Sequence, residues 1–170
     1  MSEASELLSA NLEAAHRVGE RLVYARAHLS DVLPLEQGAV TDRLSEDTAV
    51  WIDAFLKRWE SFQDLIEGQL ARGLVIVEGE SDHVVTRRDR AQFLEKLGLV
   101  DASEAWFDAG QLHNQLAHSY PLSNPKQIRR VNAAYERTGL LIDTFNRIRD
   151  HVRTRGLATV AVEALPRPKA

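Results

Sequence analysis

The sequence predicts an all-α protein, an up-and-down bundle of about five helices, and three observations point to it. Apolar residues recur at spacings of three and four along most of the chain. Capping residues and glycine or proline stops bracket these stripes. The one β-branched run, Leu74-Val75-Ile76-Val77, has no second strand to pair with.

Leu8, Leu12, Ala15, Leu22 and Leu29 mark the apolar stripe of a first long helix that ends near Pro34. After a loop containing Gly38, Ser45 is placed to cap a second long helix, with Ile52, Phe55, Trp59, Phe62 and Ile66 on its apolar face. The run from Leu74 to Val77 reads as a helix end entering a turn at Gly79. Thr86 and Asp89 have the spacing of a capping box for a short third helix, with Phe93, Leu94 and Leu97 inward and Gly98 as its stop. Asp101 with Glu104 repeats that pattern and opens a fourth helix over 102–120. The fifth starts at Pro125, buries Ile128, Val131, Thr138, Phe145, Ile148 and Val152, and closes at Gly156. Residues 1–156 then form one helical domain, and residues 157–170, with Pro166 and Pro168, read as a loosely packed or disordered tail.

Composition narrows the function. At 170 residues, 44% apolar and 27% charged, the chain is expected to fold as one soluble domain with a substantial core. The absence of cysteine excludes a disulfide framework, a thiolate metal site and a cysteine nucleophile, and is compatible with a reducing cytoplasm. No apolar run approaches the roughly 18 residues of a membrane span, and the amino terminus lacks a basic signal-peptide start, so the expected location is cytoplasmic. The net charge of −4 argues against a general nucleic-acid coat protein, but it hides an asymmetry. Residues 121–170 hold ten Lys/Arg against four Asp/Glu, whereas residues 1–120 hold eleven against 21. Lys126, Arg129, Arg130 and Arg137 are positioned to meet phosphates; the alternative is a solvated face laced with salt bridges.

The chemistry concentrates in Leu112-His113-Asn114-Gln115-Leu116-Ala117-His118-Ser119-Tyr120-Pro121. On a helix reaching 120, Asn114 and His118 stack on one outward face together with Phe107, a position suited to cover by a second subunit. Ala105, Ala109, Leu112 and Leu116 form the inward stripe, His113 and Tyr120 lie on the flank near Trp106, and Pro121 ends the helix. A zinc site is disfavoured, because His113 and His118 are five apart and diverge by roughly 140°. No cofactor is expected: glycine-rich phosphate loops and Gly-x-Ser-x-Gly elbows are both missing.

The segment from Thr86 to Tyr120, ending His113-Asn114-Gln115-Leu116-Ala117-His118-Ser119-Tyr120, resembles the HEPN superfamily, and within it the HepT-like toxins. That resemblance implies a homodimeric helical bundle that cuts RNA without metal. It also implies a partner, a minimal nucleotidyltransferase antitoxin, that silences the toxin by adenylylating the motif tyrosine. Asn114, His118 and Tyr120 match the motif, which makes Tyr120 the implied acceptor. His113 stands where the family has arginine, and a neutral imidazole neutralises phosphate charge less well than a guanidinium unless Arg129 or Arg130 substitutes for it. The expected chemistry is acid–base RNA cleavage with His118 as base, Asn114 orienting it or bonding phosphate, and His113 as donor or acid. The alternative is a non-catalytic member of the superfamily, a substrate-binding or scaffold subunit that docks a nucleotidyltransferase.

Overall fold

The computed structural model describes residues 1–36, 38, 44–118 and 120–169, and these are all-helical apart from turns and an extended tail. Helix α1 spans Glu3–His28, with Ser2 accepting a hydrogen bond from the Ser5 amide at its start. Helix α2 (Glu46–Leu65) is capped by Ser45 as expected. It continues through a π-helical turn (Ile66–Ala71) into α3 (Arg72–Val77), so the three form one long rod. Helix α4 (Arg87–Lys96) carries the complete Thr86/Asp89 capping box, α5 spans Ser103–Leu116, and α6 spans Pro125–Arg155.

Contacts fix the directions. His28 stacks on Trp51 with ring centroids 3.9 Å apart, while Leu8 lies against Gly73, so α1 runs antiparallel to the α2–α3 rod. Trp106 meets Glu67 and His113 approaches Asp64, which makes α5 antiparallel to the same rod. Phe55 meets Tyr135 and Phe62 meets Phe145, so α6 runs parallel to it. The four rods alternate up and down, and α4 packs on α5 as a short brace. The predicted apolar stripes point inward, and Trp59, Phe55, Phe62 and Phe145 meet in the solvent-excluded centre. Trp106 is buried with them, whereas Trp51 is partly exposed under His28.

The π turn was not foreseen, although the pattern carries its trace. Phe62, Ile66, Leu70 and Leu74 are all buried at successive spacings of four, wider than an α-helix sustains on one face. The turn absorbs that drift and also turns Glu67 inward, where only 7% of the residue is exposed. Its carboxylate accepts from Arg90 Nε at 2.8 Å and from Trp106 Nε1 at 2.9 Å, joining the rod to α4 and α5.

Three expectations need correction. Asp101 and Glu104 do not cap α5: its N-cap is Ala102, and the Ser103 amide donates instead to Glu95 Oε2 from α4. Asp101 and Glu104 are drawn off by guanidinium groups, Arg147 and Arg88 respectively, each at 2.7 Å. Helix α5 stops at Leu116 rather than 120. Pro121 explains this, because it has no N–H for the Ala117 carbonyl and its ring would strike that carbonyl. Finally, residues 157–169 are not loose; Ala170 lies outside the described residues. They run extended over the seam between α1 and α6, which touch little directly. Leu165 is buried beside Gly19, and its backbone exchanges two hydrogen bonds with the Asn146 carboxamide at 2.9 and 2.8 Å. Arg149 Nε donates to the Val162 carbonyl, and Arg26 Nη1 to that of Lys169.

Removing the Glu67 carboxylate strands a buried guanidinium and an indole N–H, so Glu67→Ala is expected to cost about 3–5 kcal/mol in urea unfolding. A Cβ on Gly19 would collide with Leu165 and sit 3.0 Å from Phe62. Gly19→Ala gains about 1 kcal/mol of helix propensity but forfeits the roughly 1.5–3 kcal/mol of a buried leucine, so limited proteolysis should cut the tail faster in this variant.

Asp89, Glu95 and Asp101 all have carboxyl pKa values held below the ordinary range. The principal causes are the Thr86 amide, the Ser103 amide and the Arg147 guanidinium, in that order. A depressed folded value stabilises the fold fully above the unfolded pKa and less as the group protonates. Melting temperature should therefore hold steady above pH 4.5, the ordinary glutamate value, and fall as the pH drops below 3.8, that of aspartate. Asp101→Asn should flatten part of that decline.

Candidate nucleic-acid interface

The motif residues gather where α5 ends and α6 begins, but not in the register expected of a continuous helix. Beyond Leu116 the chain tightens: Ala117 caps with φ −62° and ψ −20°, and the His118 amide bonds the Gln115 carbonyl at 3.2 Å. His118 is exposed and no longer stacks over Asn114. Asn114 instead meets its neighbour, with Oδ1 3.4 Å from His113 Nδ1. His113 is half-buried against the rod, its Nε2 4.0 Å from an Asp64 carboxylate oxygen. Tyr120 stands 43% exposed on the connection, and Ser119 lies outside the described residues.

Two neighbours differ from expectation. Phe107 does not await a second subunit, because the Arg88 guanidinium covers its ring at 4.3 Å. Ala105 is exposed, and its place on the inward stripe is taken by Trp106, whose larger apolar area and Glu67-bound N–H favour burial.

The basic segment divides into two groups. Arg147 pairs with Asp101, Arg149 with Asp150 and Glu163, Arg155 with Glu78, and Arg167 with Asp143. That half is the salt-bridged face of the alternative reading. Lys126, Arg129, Arg130 and Arg137 have no carboxylate within 4.0 Å among the described residues, and they line one open cleft of about 400 Å³ with Leu112 and Gln115. Their spacing along α6 explains the convergence: 126, 129, 130, 133 and 137 share one helix face, with Ala133 keeping the floor clear. Asn124 caps the helix by accepting from the Lys126 amide at 2.9 Å.

Arg130 links this cleft to the motif. Its Nη1 donates to the His118 carbonyl at 3.4 Å, and its guanidinium lies 4.9 Å from the centre of the Tyr120 ring. The cation that the motif lacks at position 113 is thus supplied across space from α6, beside the imidazole. The cleft suits an extended polyanion, with several unpaired cations, an exposed imidazole at the rim and a phenol beside it. Sequence reasoning gave Gln115 no part here, and its only signal was its place between the matched residues. No family model matches this chain, and no curated protein or solved structure does so, so the site's chemistry is argued from its own residues. Among the described residues, no helix is long and apolar enough to cross a membrane.

Proposed function

We propose that this chain is a metal-independent endoribonuclease of the HepT type, active as a homodimer and silenced by a nucleotidyltransferase partner that adenylylates Tyr120. The observation that carries this reading is the juxtaposition of exposed His118 with Arg130, at the rim of a cleft lined by unpaired cations.

In the proposed reaction, RNA phosphates lie along Lys126, Arg129, Arg130 and Arg137. His118 removes a proton from a ribose 2′-hydroxyl, whose oxygen attacks the adjacent phosphorus. Arg130 neutralises the charge that builds on the phosphoryl oxygens, and the 5′-oxygen leaves as its bond to phosphorus breaks. The product is a 2′,3′-cyclic phosphate, and the departing oxygen takes its proton from an imidazolium, that of His113 or of the second copy's His118. Asn114 acts through His113, which it meets directly. The phenol of Tyr120 is accessible to a modifying enzyme.

A second reading has a specific observation in its favour. His113 and Asn114 engage each other and Asp64 rather than His118, which fits a subunit that binds RNA or a nucleotidyltransferase and has lost cleavage.

Incubation of the unmodified protein with total RNA in chelator separates the two. Under the first reading RNA is fragmented, and His118→Ala slows this by about 10²–10⁴. Arg130→Ala should weaken RNA binding and reduce its salt dependence by about one released counterion. Intact RNA at stoichiometric wild-type protein, with binding retained, would favour the second reading.

A further inference from the structure

A second cleft, of about 440 Å³, opens on the other side of Tyr120 and has a different lining. Its long wall is one face of α2, carrying Asp53, Lys57 and Glu60; Leu116 and Tyr120 form a second wall, and Gln127 from the first turns of α6 the third. Hydrogen-bond acceptors in excess of donors distinguish it. The Glu60 side chain is only 21% exposed, and its nearest cation, the outward Lys57 ammonium, is 3.8 Å away, beyond hydrogen-bonding distance. Gln127 is 6% exposed, and its Oε1 is buried with no donor among the described residues. Buried acceptors are ordinarily satisfied, so a carboxylate and a carboxamide oxygen left wanting on one cleft point to a ligand that brings N–H groups.

We infer that this cleft is a base-recognition pocket that selects a nucleobase presenting N–H donors on its pairing edge, guanine foremost. The inference rests on the proposed RNA-binding function and adds the base read beside the site. Guanine offers two adjacent donors, N1–H and the 2-amino group, matched to the two oxygens of the Glu60 carboxylate. Uracil offers one N–H between two carbonyl oxygens that would face carboxylates. Tyr120 supplies an exposed ring for stacking, and its other neighbour is Arg130 of the cationic cleft. A strand crossing Tyr120 therefore keeps its phosphates among the cations and turns one base toward the acceptors. An arginine side chain would also satisfy these acceptors, but a basic peptide would be repelled by the four unpaired cations next to it.

The test is binding of fluorescent 2′-O-methyl octauridylate, which cannot be cleaved through its 2′-oxygen, against the same oligomer with one central guanosine. Wild-type protein should prefer the guanosine oligomer about tenfold. Glu60→Gln should reduce that ratio to about twofold or less while octauridylate binds at least as tightly, since a negative charge has been removed. Gln127→Leu provides an independent variant that removes the second acceptor and should also lower the ratio. Equal binding of both oligomers by wild type would overturn the pocket and leave the proposed function standing. No binding of either would overturn both. A preference that survives both substitutions would show that the base is read elsewhere and would overturn the assignment to this cleft.

Discussion

The position of α5, and with it the whole candidate site, depends on one buried carboxylate. Glu67 is withdrawn from water and balanced by a guanidinium and an indole N–H, from α4 and α5 respectively. Apolar contact alone permits helices to slide and rotate past one another. A buried acceptor with two donors of fixed direction does not, because any displacement leaves a charge uncompensated at a cost of several kcal/mol. Arg90 is itself anchored, donating to the Val85 carbonyl at 3.1 Å, so the turn before α4 is held by the same group. Gly110, one turn further along α5, lies tightly against the Arg87 guanidinium, where a larger residue would push α4 away. Placed in this way, α5 delivers its last residues to the start of α6, where the cations lie.

Most of the scaffold was legible because the determinants were local and periodic. Ser45, the Thr86/Asp89 box, Pro125 and Gly156 each act within one turn of the helix end they define, and the structure uses all four as expected. Where reading failed, the deciding partner was distant in sequence. Asp101 looks like a cap until Arg147, 46 residues away, takes its carboxylate. The tail looks loose until Asn146 and Gly19, from two different helices, are seen to seat Leu165. The π turn lies between these cases, since its spacing of four is visible but its reason, the burial of Glu67, is tertiary.

The site was legible in content and not in arrangement. Asn114, His118 and Tyr120 were singled out on helical spacing, yet α5 ends before two of them. Nor does sequence distinguish an arginine held by a carboxylate from one left without a partner. Pairing consumes the cations of the carboxyl-terminal half of α6 and of the tail, and leaves those of its amino-terminal half facing a cleft. A chain of net charge −4 thereby presents a strongly positive surface in one place. Local potential, rather than the global sum, governs what approaches at a Debye length of about 8–10 Å.

The early end of α5 has a consequence for how the groups act together. Ending a helix leaves carbonyls without amide partners, and here the His118 carbonyl is met by the Arg130 guanidinium. One side chain thus sets the backbone beside the imidazole and also faces the cleft. A guanidinium can do both at once, because its five N–H groups form a planar fork, so one edge can hold a carbonyl while another meets a phosphoryl oxygen. A lysine in the same place would bring the charge without the fork and would have to divide a single ammonium between the two. The histidine at 113 and the arginine at 130 are therefore better regarded as one rearrangement than as one loss. The cation stands on the neighbouring helix, tied to the backbone of the histidine it serves.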